Sequence, residues 1–211
     1  MNQDNKNLVK INEFVGEDTS LRNDCNLCNE AKLELSSLTK YGARIIYRIG
    51  DSIQNQWFAT LSPKTGGDME KDFTILLMPV QHLTHFSQIS NYPKLPENYG
   101  IAFAKINDAI LKIMADKEFN PTESIKENAI SVGTYGKVTN WKDKKEHLHV
   151  KIFPFRGDIG QPYTVDSSFG KKEIHKDENN EKFVKMKPIY KKLIPKERFD
   201  ELAKKFIQLL K

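Results

Sequence analysis

KEHLHVKIFPF, residues 145–155, carries His147, His149 and Lys151 at alternate positions, interleaved with Leu148, Val150 and Ile152. Successive side chains of a β-strand point to opposite faces. The stretch therefore reads as a strand with one apolar face and one face of two imidazoles and an ammonium group. The apolar set is expected to pack on helices, and the polar set to line a surface where a ligand can lie. Solvated histidines on a half-buried strand are common, so the alternation alone assigns no function.

Working outward, Asn128 to Tyr135 reads as a partner strand, joined to His147–Phe153 by a polar loop from Gly136 to Glu146. Further upstream, Ala43 to Ile49 and Trp57 to Leu61 are rich in β-branched and aromatic residues. Gly50-Asp51-Ser52 lies between them, which predicts a hairpin. Lys64 to Asp72 is a polar segment with two glycines and reads as a loop. Phe73 to Met78 is a short apolar run ended by Pro79, which suits a buried strand. Pro96 opens a helix whose Phe103, Ile106, Ile110, Ile113 and Met114 fall at helical spacing. Pro195 opens a second, with Phe199, Leu202, Phe206 and Leu209 expected inward. Residues 156–190 are mixed and turn-rich and give no clear pattern, and there is no internal repeat.

The chain of 211 residues is long enough to bury one substantial core. A hydrophobic content of 38%, with 12 Phe, excludes a mostly disordered polymer. The formal charge of +5 arises from 33 basic and 28 acidic residues without a long basic block, which favours a phosphate-bearing ligand over duplex nucleic acid. MNQDNKNLVKINEF at the front has no apolar signal-like core, and no apolar run approaches the ~20 residues needed to span a bilayer. The expectation is a cytoplasmic protein with no membrane partner.

Both cysteines lie together, as Cys25-Asn26-Leu27-Cys28. In a reducing compartment C-x-x-C signals metal or redox chemistry. The redox reading wants a strand before the pair, whereas Asn29 to Lys40 is a polar, helix-prone run with no strand ahead of it. Metal is preferred, provided two more ligands exist.

Several segments, in order, resemble the histidine-triad family of nucleotide-binding proteins. DCNLC resembles its C-x-x-C start, and IIYRIGD and WFATLSP resemble its first two strands. TILLMPVQHLTHFSQI resembles its strand, Pro-x-x-His and loop, and HLHVKIFP resembles its H-x-H-x-H signature. The match spans residues 24–155. It implies an α+β domain, an antiparallel sheet with a packed helix, over residues 21–155. A tail at 1–20 would precede this domain and an extension at 156–211, ending in a helix, would follow it.

The resemblance also implies a site. Members with C-x-x-C bind structural zinc through that pair, the Pro-x-x-His histidine and the first triad histidine, here Cys25, Cys28, His82 and His147. The middle histidine, His149 here, attacks the α-phosphorus of a nucleotide and forms a covalent nucleotidyl-histidine. Imidazole suits that step because it is a nucleophile when neutral and a good leaving group when protonated. Lys151 stands where the hydrolase branch has a third histidine and the transferase branch a glutamine, and would supply positive charge to phosphate as a second catalytic group. The family's Gln and Ser or Thr before the first histidine align with Asp143 and Lys144. Lys144 and Lys145 would thus replace polar phosphate contacts with charge. Thr60 stands where the family carries an acid that holds the ribose hydroxyls, so it is the candidate sugar contact.

The function expected from this resemblance is a nucleotide hydrolase or nucleotidyltransferase. Its substrate would be a dinucleoside polyphosphate, nucleoside phosphoramidate or nucleotide-sugar. The alternatives are a zinc-stabilised nucleotide-binding protein of the same fold without turnover, and a protein that binds nucleic-acid ends. Family hydrolases are often dimers through their helices, which makes a homodimer the expected assembly if the extension leaves that surface free.

Overall fold

The computed structural model describes residues 21–116, 129–135, 147–155, 169–188 and 191–211. The loop Gly136 to Glu146, with Asp143, Lys144 and Lys145, lies outside the described residues. Five strands form one antiparallel sheet: β1 (Arg44–Ile49), β2 (Trp57–Leu61), β4 (Ile75–Pro79), β5 (Ala129–Tyr135) and β6 (His149–Phe155). Their order is β1-β2-β4-β6-β5. β6 thus sits between the strand that ends in Pro79 and the strand that precedes it in sequence. Sheet and helices together make an α+β arrangement.

The hairpin of β1 and β2 turns at Gly50, whose φ of +102° is available to glycine; a Cβ there would meet the Asn55 carbonyl and the Gln56 Cα at 2.7 Å. Asn55 closes the same turn. Its Oδ1 accepts the N–H of Asp51 at 3.0 Å and of Ser52 at 3.1 Å, and its Nδ2 donates to the Asp51 carboxylate at 2.7 Å.

Two faces of the sheet are buried in different ways. One carries Trp57, Ala59, Leu61, Ile75, Leu77, Leu148, Val150 and Ile152 and packs on α2 (Leu95–Ala115) and α3 (Lys196–Leu209). The helix residues facing it are Ile106, Ile110, Ile113 and Met114 from α2 and Phe199, Leu202 and Phe206 from α3. Phe103 is partly buried against the same cluster. The other face carries Ile45, Phe58, Met78 and Val80. It is covered by Ala31, with Leu21, Leu27 and Leu33 packed beside it. The alternation read in residues 147–152 holds: Leu148, Val150 and Ile152 belong to the helix side.

Some expectations change. Leu209 is 41% exposed, and Leu210 is buried in its place. Both positions suit a helix face, lying three and four residues after Phe206. The Leu210 N–H still bonds to the Phe206 carbonyl at 2.9 Å, so the turn carries Leu210 into the core. The segment Asn29 to Lys40 is not a helix. Only α1 (Asn26–Glu30) is helical, and Ser36 then adopts a positive φ of 71°. The polar segment from Lys64 contains a short strand, β3 (Lys64–Thr65), paired with β9 (Lys192–Leu193). That pairing and the Arg44–Asp200 ion pair at 2.8 Å tie residues 191–211 to the first half of the chain. Between them, β7 (Phe169–Lys176) and β8 (Lys182–Pro188) form a two-stranded sheet.

Candidate metal centre and strand face

Cys25 caps α1 and Cys28 lies within it, three residues on, so the single helical turn brings both thiols to one side. His82 follows β4 by three residues, and His147 immediately precedes the ladder of β6, where the Leu148 N–H bonds to the Leu83 carbonyl. All four residues are buried, and one donor atom from each lies within 4.8 Å of the others. Cys28 Sγ is 3.3 Å from His82 Nδ1 and 3.4 Å from His147 Nδ1, and Cys25 Sγ is 3.6 Å from His147 Nδ1.

These separations fit a metal ion. A tetrahedral centre with metal–sulfur bonds of about 2.3 Å and metal–nitrogen bonds of about 2.0 Å has sulfur–nitrogen edges of roughly 3.5 Å. The second nitrogen of His147, Nε2, donates to the Pro79 carbonyl at 2.9 Å, which leaves the Nδ1 lone pair facing the thiols. A backbone carbonyl in this position fixes both the tautomer and the ring orientation of a metal-ligating histidine. The His82 and His147 rings meet edge to face, with centroids 5.2 Å apart. The two thiols have divergent proton affinities: the contact from Cys28 holds the Cys25 thiol well below its ordinary value, and the same contact together with burial pushes Cys28 upward. The four side chains could therefore hold a metal ion.

His82, not His85, is the histidine in this cluster. His85 instead caps the 3-10 turn Phe86–Asn91, where its side chain and that of Gln88 bond reciprocally to each other's backbone. The Gln88 Oε1 accepts the His85 N–H at 2.9 Å.

His149 lies on the same strand side as His147 but outside the cluster, and is half-buried. Its Nδ1 donates to the His147 carbonyl at 2.9 Å, which assigns the proton to Nδ1 and the lone pair to Nε2. Burial lowers the pKa of His149; the bond to His147 opposes that, and the Lys151 charge adds to it. Lys151 is half-buried and stands in register with Leu76, which stands in register with Thr60. Thr60 and Lys151 therefore share the sheet face away from the helices, two strand spacings or about 10 Å apart. Thr60 is buried, at 1% exposure.

Sequence reading missed Arg48. It lies on β1 over the Phe58 ring, 5.5 Å from its centroid. Its Nη2 donates to the Ala31 carbonyl at 2.7 Å and also to the Leu33 carbonyl, and its Nη1 reaches the Gln56 side chain at 3.2 Å. The guanidinium latches the segment after the cysteines onto the sheet. An arginine in a strand read only as alternating gives no sign of that role, because its partners are main-chain carbonyls rather than acids.

No protein-family model, no curated protein and no solved structure matches this chain. Among the described residues no helix is long and apolar enough to cross a membrane.

Proposed function

We propose that the chain is a zinc-stabilised nucleotide hydrolase or nucleotidyltransferase of histidine-triad type, with His149 as its nucleophile. The observation that carries this reading is the division of one strand face: His147 Nδ1 turns to the thiols, and His149 Nδ1 is tied to the His147 carbonyl. That tie holds the ring in one orientation with its proton on Nδ1, and Nε2 is the nitrogen that nucleophilic catalysis would use. In the proposed reaction Nε2 attacks the α-phosphorus of the substrate. A phosphorus–nitrogen bond to His149 forms as the bond to the leaving phosphate or sugar phosphate breaks, or, for a phosphoramidate, as the bond to the amine breaks and the amine takes a proton from solvent. Water or another acceptor then displaces His149, and the proton that the acceptor releases goes to solvent. Lys151, on the same strand side, stabilises the phosphoryl oxygens as charge spreads over them.

Zinc is the metal that the donor set favours. Two thiolates and two imidazoles suit its preference, and four protein ligands make a closed, structural centre without an open position for substrate. Its contribution is to folding: it pins residues 25–28 to the segments carrying His82 and His147.

A second reading is a nucleotide-binding protein of the same fold without turnover. The buried, uncharged Thr60 in place of an acid favours it. One experiment separates the two. The purified chain is offered a panel of dinucleoside polyphosphates, nucleoside phosphoramidates and nucleotide-sugars, with turnover and binding measured side by side. Turnover that stops in His149→Ala supports the enzyme; tight binding with no product supports the binding protein.

A further inference from the structure

The ribbon of β7 and β8 has a composition that its own stability does not explain. Residues 169–188 hold six lysines against four acidic residues; the ladder sets Glu173 opposite Lys185 but also pairs Lys171 with Lys187 and Lys176 with Lys182. Like charges directly opposite each other destabilise an antiparallel pair, and a two-stranded ribbon is already marginal in water. Ile174 and Phe183 are nevertheless 73% and 48% exposed. Phe183 pairs in register with His175, and the two rings stack with centroids 5.7 Å apart and planes inclined by 24°. Ile174 belongs to the neighbouring pair, with Val184, and so falls on the opposite face from the ring pair. The exposed apolar groups are therefore divided between two faces, whereas insertion into a lipid surface needs them on one. The acidic tip is partly occupied in shaping the turn: the Asp177 carboxylate accepts the N–H of Asn179 at 2.9 Å and of Glu181 at 2.8 Å.

We propose that the β7–β8 ribbon is a binding arm for single-stranded nucleic acid. Lys176 and Lys182 contact backbone phosphates, and the His175–Phe183 pair is a platform for an unpaired base. A polyanion relieves the cross-strand repulsion of the lysines and gains affinity through counterion release. A base stacks on an aromatic face whatever its identity, and only a single strand presents that face freely. The arm uses neither His149 nor the metal cluster, so it stands independently of the proposed nucleotidyl chemistry.

The test is fluorescence anisotropy of the full chain with a labelled oligothymidylate over a range of salt concentrations. Binding should weaken as salt rises. Replacing Lys176 and Lys182 together by Gln should reduce the salt slope by roughly 1.4, at about 0.7 per phosphate contact. Phe183→Ala should lose roughly 5- to 150-fold in affinity, the range for one stacked base, while Phe183→Tyr retains it. A duplex of equal length and vesicles of phosphatidylserine and phosphatidylcholine should compete poorly. The proposal is overturned by absence of oligonucleotide binding, by Phe183→Ala binding as tightly as the parent, or by vesicles competing as well as the oligonucleotide. Lys176 and Lys182 are exposed, so their replacement tests the surface without disturbing a core.

Discussion

The sulfur of Cys25 lies 3.6 Å from Nδ1 of His147, although 122 positions of sequence separate the two residues. The contact joins the N-terminal segment to the start of β6. It makes the four-residue cluster a fastening between segments rather than a local decoration of one loop.

Removal of the metal should consequently loosen the second face of the sheet. Zinc-loaded protein treated with a strong chelator is expected to melt lower by on the order of 10 °C, since a loss of about 1 kcal/mol shifts a domain of this size by roughly 2–4 °C and a structural centre contributes several kcal/mol. Differential scanning calorimetry with elemental analysis checks this. An unchanged melting temperature after complete stripping would sink the structural role.

The two histidines of one strand face should separate cleanly on mutation. His147→Ala takes away one of the four clustered donors, so it should lose zinc and stability together. His149→Ala removes no ligand and should keep zinc and melting temperature near the parent values while abolishing any nucleotidyl intermediate. Metal content, melting curves and acid-quenched labelling with a radioactive nucleotide give the three readouts. Near-normal turnover by His149→Ala rules out its role as nucleophile.

Lys151→Ala should slow turnover by a factor on the order of 10 to 1,000 if the ammonium stabilises phosphoryl charge, without loss of zinc. Equal kcat/KM in parent and variant would reduce Lys151 to a scaffold residue.

Arg48→Met keeps the long apolar stem over Phe58 but drops the bonds to the Ala31 and Leu33 carbonyls. Leaving partly buried carbonyls without this donor costs up to about 1–3 kcal/mol, so the variant should melt lower and surrender its metal to a chromogenic chelator faster than the parent. An unaltered transfer rate would show that the latch does not hold the cysteine segment.

Gly50→Ala should destabilise by about 1–3 kcal/mol, because alanine must adopt a φ of +102° with its Cβ against the Asn55 carbonyl. Denaturant unfolding measures it, and a change within error would mean that the turn can rearrange.

Much of this molecule follows from local rules. The alternation in residues 147–152 assigns Leu148, Val150 and Ile152 to one side because strand geometry has a period of two. The spacing of Ile106, Ile110 and Ile113 assigns a buried helix face for the corresponding reason. The C-x-x-C pair marks a candidate metal-binding pair before any fold is known, since both thiols lie within one turn. Other features depended on segments meeting across the chain. The Pro79-Val80-Gln81-His82 spacing favoured His82 over His85 in the sequence, and packing sends the first to the thiols and the second to cap a turn. Leu209 and Leu210 both fit a helical face, and the closure of α3 on the sheet decided for Leu210. The pairing of Lys64–Thr65 with Lys192–Leu193 and the Arg48 latch arise from main-chain groups, which every residue carries and no side-chain pattern marks. Periodicity tells each segment which face to bury. Only simultaneous packing of all the segments settles which of several chemically equal candidates meet.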